Sequence, residues 1–275
     1  MVTLQALLSH RWNVPARPFT VLAADGTKIA GTRIGDPSRE RSALVLCHGL
    51  MGWHRKPRIA RFAEELSRWC TVYLPDLRGH GASGGTSSYG VEEIEDVDVV
   101  VGLARDEGHV RVATVGTSMG AIAVLRHAGL LGGVDAVVSI SSLARWGPHD
   151  ADPRRAEAWR RMRRVTDTDR GRTWLARYGA RLPSTWSSAE SPEEVVGKIA
   201  PTPLLIVHGR DDHLFGEEEA IRLFEAAGEP KKLLLADRFG HAEDGLTPAV
   251  ARRIAKELSI GWGRPTPVAR SGSGA

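Results

Sequence analysis

The segment Val112-Ala113-Thr114-Val115-Gly116-Thr117-Ser118-Met119-Gly120-Ala121 is the most informative part of this sequence. A run of β-branched and small apolar residues leads into G-T-S-M-G, and an apolar helical pattern over residues 121–131 follows directly. Strand, sharp turn and helix in this order expose the serine of a G-x-S-x-G motif for nucleophilic attack. Free backbone N–H groups at the start of the helix can bind a developing oxyanion. Ser118 is therefore the candidate nucleophile.

A second match to the same motif, Gly81-Ala82-Ser83-Gly84-Gly85, lacks this context. It follows a polar R-G-H turn instead of a strand, and it leads into Thr86-Ser87-Ser88, which does not begin an apolar helix. A short motif is informative only in its structural context. We interpret this segment as a glycine-rich loop.

Composition and charge restrict the class of protein. The 275 residues are 42% hydrophobic and 25% charged, which suits one large α/β domain with a small insertion. The net charge is only +4 and no continuous basic block occurs, so nucleic acid is not a predicted partner. No apolar run approaches the roughly 20 residues of a membrane span, and the start of the chain does not resemble a secretory signal. We expect a cytoplasmic protein in which Cys47 and Cys70 are buried free thiols.

Strand and helix patterns alternate along most of the chain. Asp25-Gly26 predicts a hairpin turn between strands at 19–24 and 28–34. Further strands are predicted at 43–47, 71–74, 136–140, 203–208 and 231–236, separated by helices at 57–69, 91–105, 217–227 and 247–258. This alternation predicts an α/β fold with a mostly parallel central sheet and helices on both faces.

Residues 143–196 break the alternation. They predict a helical lid that is inserted in the chain between two strands and is not part of the sheet. The core then comprises residues 1–142 and 197–262, and the Pro/Gly/Ser-rich segment 263–275 is expected to be a disordered tail. Four of the eight tryptophans fall in the insertion: Trp146, Trp159, Trp174 and Trp186.

A serine nucleophile needs a base to take its proton and an acid to orient that base. In this strand–turn–helix context the chain order is Ser, acid, His, which leaves His213 and His241 as candidate bases. His241 follows the predicted strand at 231–236, at the sheet edge where active sites collect. His213 directly adjoins the candidate acids and is poorly placed to bind them. The residues thus favour His241 and leave Asp211 and Asp212 open as the acid.

Five segments in this order resemble the α/β-hydrolases of the serine aminopeptidase and monoacylglycerol-lipase type. They are His48-Gly49-Leu50-Met51-Gly52, Asp76-Leu77-Arg78-Gly79-His80-Gly81-Ala82-Ser83, Gly116-Thr117-Ser118-Met119-Gly120, His208-Gly209-Arg210-Asp211-Asp212 and Gly240-His241. The resemblance implies an α/β-hydrolase fold and a serine hydrolase that cleaves a carboxylic ester through an acyl-enzyme. It selects Asp212 as the acid and implies an oxyanion hole formed by the N–H groups of Leu50 and Met119.

The substrate is predicted less directly. Trp53 and His54, directly after the oxyanion turn, and Trp146 in the insertion are candidate substrate-binding residues. Residues 145–181 contain eleven Arg against five Asp and Glu. This positive surplus makes a thioesterase that acts on an acyl-CoA or acyl-carrier substrate an alternative function.

Two further alternatives are a non-hydrolytic enzyme and a ligand-binding protein on the same fold. Neither a metal-ligand spacing nor a dinucleotide-binding glycine motif after a strand is present, so we predict no metal and no cofactor. The expected partner is a small-molecule ester or thioester, and the sequence leaves the oligomeric state open between monomer and homodimer.

Overall fold

The computed structural model describes residues 5, 8–35, 41–146, 153–185 and 189–261; the predicted tail at 263–275 and Trp186 lie outside the described residues. The described strands are β1 (Ala16–Leu22), β2 (Lys28–Ile34), β3 (Ser42–Cys47), β4 (Thr71–Pro75), β5 (Arg111–Thr117), β6 (Ala136–Ile140), β7 (Leu204–Gly209) and β8 (Lys231–Ala236). They form one sheet in the order β1-β2-β4-β3-β5-β6-β7-β8.

The sheet is parallel apart from one edge. β2 pairs antiparallel with β1 and with β4, and every other neighbouring pair is parallel. β4, β6 and β7 are buried along their whole length, as expected for strands covered on both faces. The predicted α/β architecture with a mostly parallel sheet is therefore confirmed.

Helices cover both faces of the sheet. The described helices are α1 (Pro57–Leu66), α2 (Glu93–Asp106), α3 (Met119–Leu130), α4 (Pro153–Thr166), α5 (Asp169–Arg177), α6 (Pro192–Val195), α7 (Glu217–Ala226) and α8 (Pro248–Gly261). One core cluster joins α2, α3 and α7 to one face, and a second joins α1 and α8 to the other. Successive residues of β3 alternate between them, so that Leu44 lies in the second cluster and Val45 in the first.

The loop before α2 is joined to the segment after α5 by backbone hydrogen bonds. Arg181 donates its N–H to the carbonyl of Gly79 (2.7 Å) and accepts from the N–H of Ser87 (2.8 Å). The α4–α5 pair lies between β6 and β7 in the chain, where the sequence departs from strand–helix alternation. The described segments contain no helix that is long and apolar enough to cross a membrane. Cys47 and Cys70 are buried free thiols.

Candidate active site

Ser118 occupies a strained turn between β5 and α3. Its φ is 52° and its ψ is −117°. Residues other than glycine seldom adopt a positive φ. The flanking glycines make this turn possible. A Cβ at Gly116 would lie 2.1 Å from the carbonyl oxygen of Gly120, and a Cβ at Gly120 would lie 2.4 Å from that of Cys47. The turn thus needs glycine on both sides.

The side chains of Ser118, His241 and Asp212 form one hydrogen-bonded chain. His241 Nε2 lies 2.9 Å from Ser118 Oγ, and His241 Nδ1 lies 2.8 Å and 3.0 Å from the two carboxylate oxygens of Asp212. A carboxylate can only accept, so Nδ1 carries the ring proton and Nε2 is free to accept from the serine hydroxyl. This is the orientation that a general base requires.

Asp212 is held in place by its own loop after β7. Its side chain is fully buried, and its Oδ1 accepts the N–H groups of Leu214 (2.8 Å) and Phe215 (2.9 Å). Burial by itself raises the pKa of Asp212, but the hydrogen bond and charge of His241, with the N–H of Phe215, outweigh it and leave the pKa below its usual value. The carboxylate is therefore ionised at neutral pH.

The alternative candidates are not members of this hydrogen-bonded chain. Asp211 is exposed, whereas its neighbour Asp212 is buried. The ring of His213 lies beside that of His241, with 5.8 Å between their centroids. Ser83 Oγ donates to the carbonyl of Asp76 and accepts the N–H of Ala30, as expected of a loop residue.

The loop after β3 lies directly against the serine. A Cβ at Gly49 would come within 3.2 Å of Ser118 Cβ. The buried ring of His48 donates through Nδ1 to the Gly49 carbonyl (2.8 Å) and accepts the N–H of Leu77 through Nε2 (3.1 Å). Burial lowers the pKa of His48 to about 3, so the ring is neutral and shapes the loop. His80, also buried, places its Nε2 against the Leu50 carbonyl.

These contacts position the two residues expected to form an oxyanion hole. Leu50 follows Gly49 and lines the cavity described next, while Met119 is the first residue of α3. The first N–H groups of a helix have no intrahelical acceptor. Leu50 and Met119 lie on the two segments that meet at the Ser118 side chain, which are the loop after β3 and the start of α3.

A cavity of about 400 Å³ opens above Ser118 and His241. Its walls are mainly apolar and come from α4, α5 and the loops after β3 and β7, including Leu50, Met51, Met162, Val165, Trp174, Leu175 and Leu214. An ion pair between Lys56 and Glu243 (2.8 Å) joins two of its lining residues. Such a cavity suits an apolar acyl or aryl group.

The three residues predicted to bind substrate are placed outside this cavity. Trp53 Nε1 donates to Ser9 Oγ (3.0 Å), and His54 donates its backbone N–H to Asp76 (2.8 Å). Trp146 Nε1 donates to the carbonyl of Ala189 (2.8 Å). Among the described residues, none of the three lines the cavity. Their contact with substrate stays a prediction.

Sequence reasoning missed the apolar lining that α4 and α5 provide. The spacing of three between Met162 and Val165 was the available signal, but it equally fits a helix face that docks onto the core. The side chain of Trp159 lies outside the described residues. Within the described ranges, no group of three His, Cys, Asp or Glu side chains is arranged to hold a metal ion.

Loops at the ends of parallel strands bring Ser118, His241 and Asp212 into one series of hydrogen bonds. This arrangement defines an α/β protein of hydrolase architecture. The chain belongs to the alpha/beta hydrolase family, whose family model matches residues 44–261. The narrower resemblance to the serine aminopeptidase and monoacylglycerol-lipase type stays a prediction.

Two bacterial proteins are similar to this chain in sequence. It is 29% identical over 235 residues to the uncharacterized protein YqkD of Bacillus subtilis (strain 168), covering 82% of this chain and 72% of that protein. It is 26% identical over 238 residues to the uncharacterized protein YfhR of Escherichia coli (strain K12), with the same coverage.

Among solved structures, the Pyrococcus furiosus esterase Pf2001 has a TM-score of 0.72 at 20% identity, covering 93% of this chain and 98% of that one. Est1E of Butyrivibrio proteoclasticus, solved with ferulic acid bound, has a TM-score of 0.66 at 18% identity, covering 87% and 97%. At this identity these structures share the fold.

Proposed function

We propose that this protein is a serine hydrolase that cleaves carboxylic esters through an acyl-enzyme. The observation that carries the proposal is the hydrogen-bonded chain Ser118–His241–Asp212 beneath an apolar cavity. Aligned nucleophile, base and orienting carboxylate are what acyl transfer requires, and here only the carboxylate is buried while the serine and histidine face the cavity.

The proposed mechanism assigns a step to each of these side chains. Ser118 Oγ attacks the carbonyl carbon as its proton passes to His241 Nε2, and Asp212 stabilises the resulting imidazolium. The tetrahedral oxyanion is held by the N–H groups of Leu50 and Met119. His241 returns the proton to the departing alcohol, and an acyl-enzyme remains. Water, deprotonated by His241, then attacks the acyl carbon and releases the acid, restoring the serine.

The helices α4 and α5 act as a lid in this proposal, in keeping with a helical insertion at 143–196. Val165, Trp174 and Leu175 from these helices line the cavity above the serine. They would exclude water from one side of the bound acyl group and limit its size.

Labelling with a fluorophosphonate probe tests the nucleophile. We expect labelling of the wild-type chain, none of Ser118→Ala, and normal labelling of Ser184→Ala, a control at an exposed serine. A panel of 4-nitrophenyl esters of increasing acyl length then tests turnover. Labelling that persists in Ser118→Ala would refute the assignment, and a chain that neither labels nor turns over any ester would favour a ligand-binding protein.

A further inference from the structure

A second cavity of about 300 Å³ adjoins the first on the lid. It is lined by Arg164, Val165, Thr168, Arg170, Gly171 and Trp174, and we name it the arginine cavity. Val165 and Trp174 also line the cavity above Ser118, so the two cavities share these walls. The arginine cavity and the cavity above Ser118 therefore adjoin at these two residues.

Close packing between α4 and α5 shapes the arginine cavity. A Cβ at Gly171 would lie 1.9 Å from the carbonyl oxygen of Val165, so the two helices are in backbone contact here. Thr168 caps α5 by accepting the N–H of Gly171 (3.1 Å). Arg164, near the end of α4, and Arg170, near the start of α5, therefore flank a closely packed junction between the two helices.

Charge distinguishes these two arginines from their neighbours. Most other described arginines of α4 and α5 form ion pairs within the lid: Arg160 and Arg161 share Glu157, Arg163 pairs with Asp167, and Arg172 pairs with Asp169. Arg164 and Arg170 form no ion pair with any residue that the structure describes, although Glu157 exerts a charge interaction on Arg164. Glu157, Asp167 and Asp169 each pair with another arginine, and none of them lines the arginine cavity, so this cavity carries a net positive charge.

We propose that the arginine cavity binds an anionic group of the substrate, a phosphate or a carboxylate, while the apolar cavity holds the acyl chain at Ser118. This inference rests on the proposed hydrolase function and names its substrate class. Two guanidinium groups present several N–H donors in planar arrays that match the oxygens of either anion. The substrate is then an ester or thioester with a charge remote from the bond that is cleaved.

Two matched substrate pairs test this proposal and locate the anion. Butyryl-coenzyme A and butyryl-N-acetylcysteamine share the acyl group and the thioester, but only the first carries phosphates on the leaving group. The mono-4-nitrophenyl ester of adipic acid and 4-nitrophenyl hexanoate share the leaving group, but only the first carries a carboxylate on the acyl chain. The measured quantity is the ratio of kcat/KM, anionic over neutral, within each pair.

We expect Arg164→Ala/Arg170→Ala to lower this ratio by about tenfold for at least one pair, equivalent to about 1.4 kcal/mol. The control Arg160→Ala/Arg161→Ala removes the same total charge from the α4–α5 pair but affects arginines already paired with Glu157, and its ratio should stay near that of the wild type. A ratio measured on one preparation is independent of the folded fraction.

The pair that responds identifies where the anion lies: the coenzyme A pair indicates the leaving group, and the adipate pair the acyl chain. Equal ratios in wild type and both double variants, for both pairs, would overturn the proposal. That result leaves the hydrolase assignment intact as long as the neutral esters are cleaved in a Ser118-dependent way. If the wild-type protein turned over none of these substrates, that result would instead contradict the proposed function itself.

Discussion

The imidazole Nε2 of His241 lies 2.9 Å from the hydroxyl oxygen of Ser118, although 123 positions separate the two residues in the chain. Ser118 follows β5, Asp212 follows β7 and His241 follows β8, and these strands are parallel in one sheet. Parallel strands end at the same edge, so loops distant in sequence meet there. The predictions below test what this convergence does and what supports it.

Asp212 and Asp211 form a natural pair for testing the carboxylate. Asp212→Asn should lower kcat for a 4-nitrophenyl ester by about 10⁴-fold, because an amide no longer holds the imidazole tautomer that accepts the serine proton. Asp211→Asn changes an exposed neighbour and should leave kcat within about twofold. Steady-state kinetics on both variants decide the matter. Similar losses in the two variants would contradict the role given to Asp212.

Met162 should control acyl length. Met162→Trp adds a bulky ring to the wall of the 400 Å³ cavity and should lower kcat/KM for an octanoyl ester by about tenfold more than for an acetyl ester. The matched control is Ala176→Trp, which places the same ring at an exposed position on α5. If Met162→Trp affects the acetyl and octanoyl esters equally, the acyl chain does not occupy this cavity.

Arg78 and Asp96 form a buried ion pair beneath the glycine-rich loop. Arg78 Nε donates to Asp96 (2.8 Å), and burial raises the pKa of Asp96 to about 7 despite this partner. Arg78→Met should therefore lower the free energy of unfolding by about 3–5 kcal/mol, since it leaves a buried carboxyl uncompensated. Chemical denaturation measures this change.

The double variant Arg78→Met/Asp96→Leu separates charge from packing. It should be more stable than Arg78→Met by at least about 1 kcal/mol, because neither member of the buried ion pair then carries a charge. Arg68→Met, at an exposed arginine, serves as the control and should change stability by less than about 0.5 kcal/mol. A double variant less stable than the single one would mean that Asp96 stabilises the fold without the guanidinium, through its hydrogen bond from the backbone N–H at position 78.

His48 should make stability depend on pH in a defined window. The folded chain keeps this ring neutral down to a pKa of about 3, whereas the unfolded chain protonates it below about 6.5. The unfolded state then binds more protons, so the free energy of unfolding falls as the pH falls, by about 2 kcal/mol from pH 6.5 to 4.5.

Urea unfolding of wild type and His48→Gln at these two pH values tests this expectation. The variant should lose about 2 kcal/mol less than the wild type across the window. The pKa of the neighbouring Asp76 is lowered in the folded state, and its contribution disappears only below about pH 4, outside the window. An unchanged pH dependence in His48→Gln would show that the ring is protonated in the folded chain.

Much of the fold was predictable because strands and helices have different periods. A continuous apolar run identified β3 and short, mainly apolar segments identified β6 and β8, all almost to the residue, and Gly116 and Gly120 identified the turn around Ser118. These features depend on neighbouring residues only. The predicted helix at 57–69 ends at Leu66, since Ser67 and the residues after it turn into β4.

The sequence by itself determined the layered fold, the strained serine turn and the loops that carry His213 and His241. Each of these depends on steric constraints between neighbouring residues and on the spacing of hydrophobic residues. Only the tertiary structure decided which carboxylate faces His241 and which side chains line the cavity. Adjacent residues such as Asp211 and Asp212 have the same chemistry, and the direction of each is set by the loop's hydrogen bonds. Trp53 and Trp174 are likewise equivalent as sequence, but packing directs the first toward Ser9 and the second over the serine.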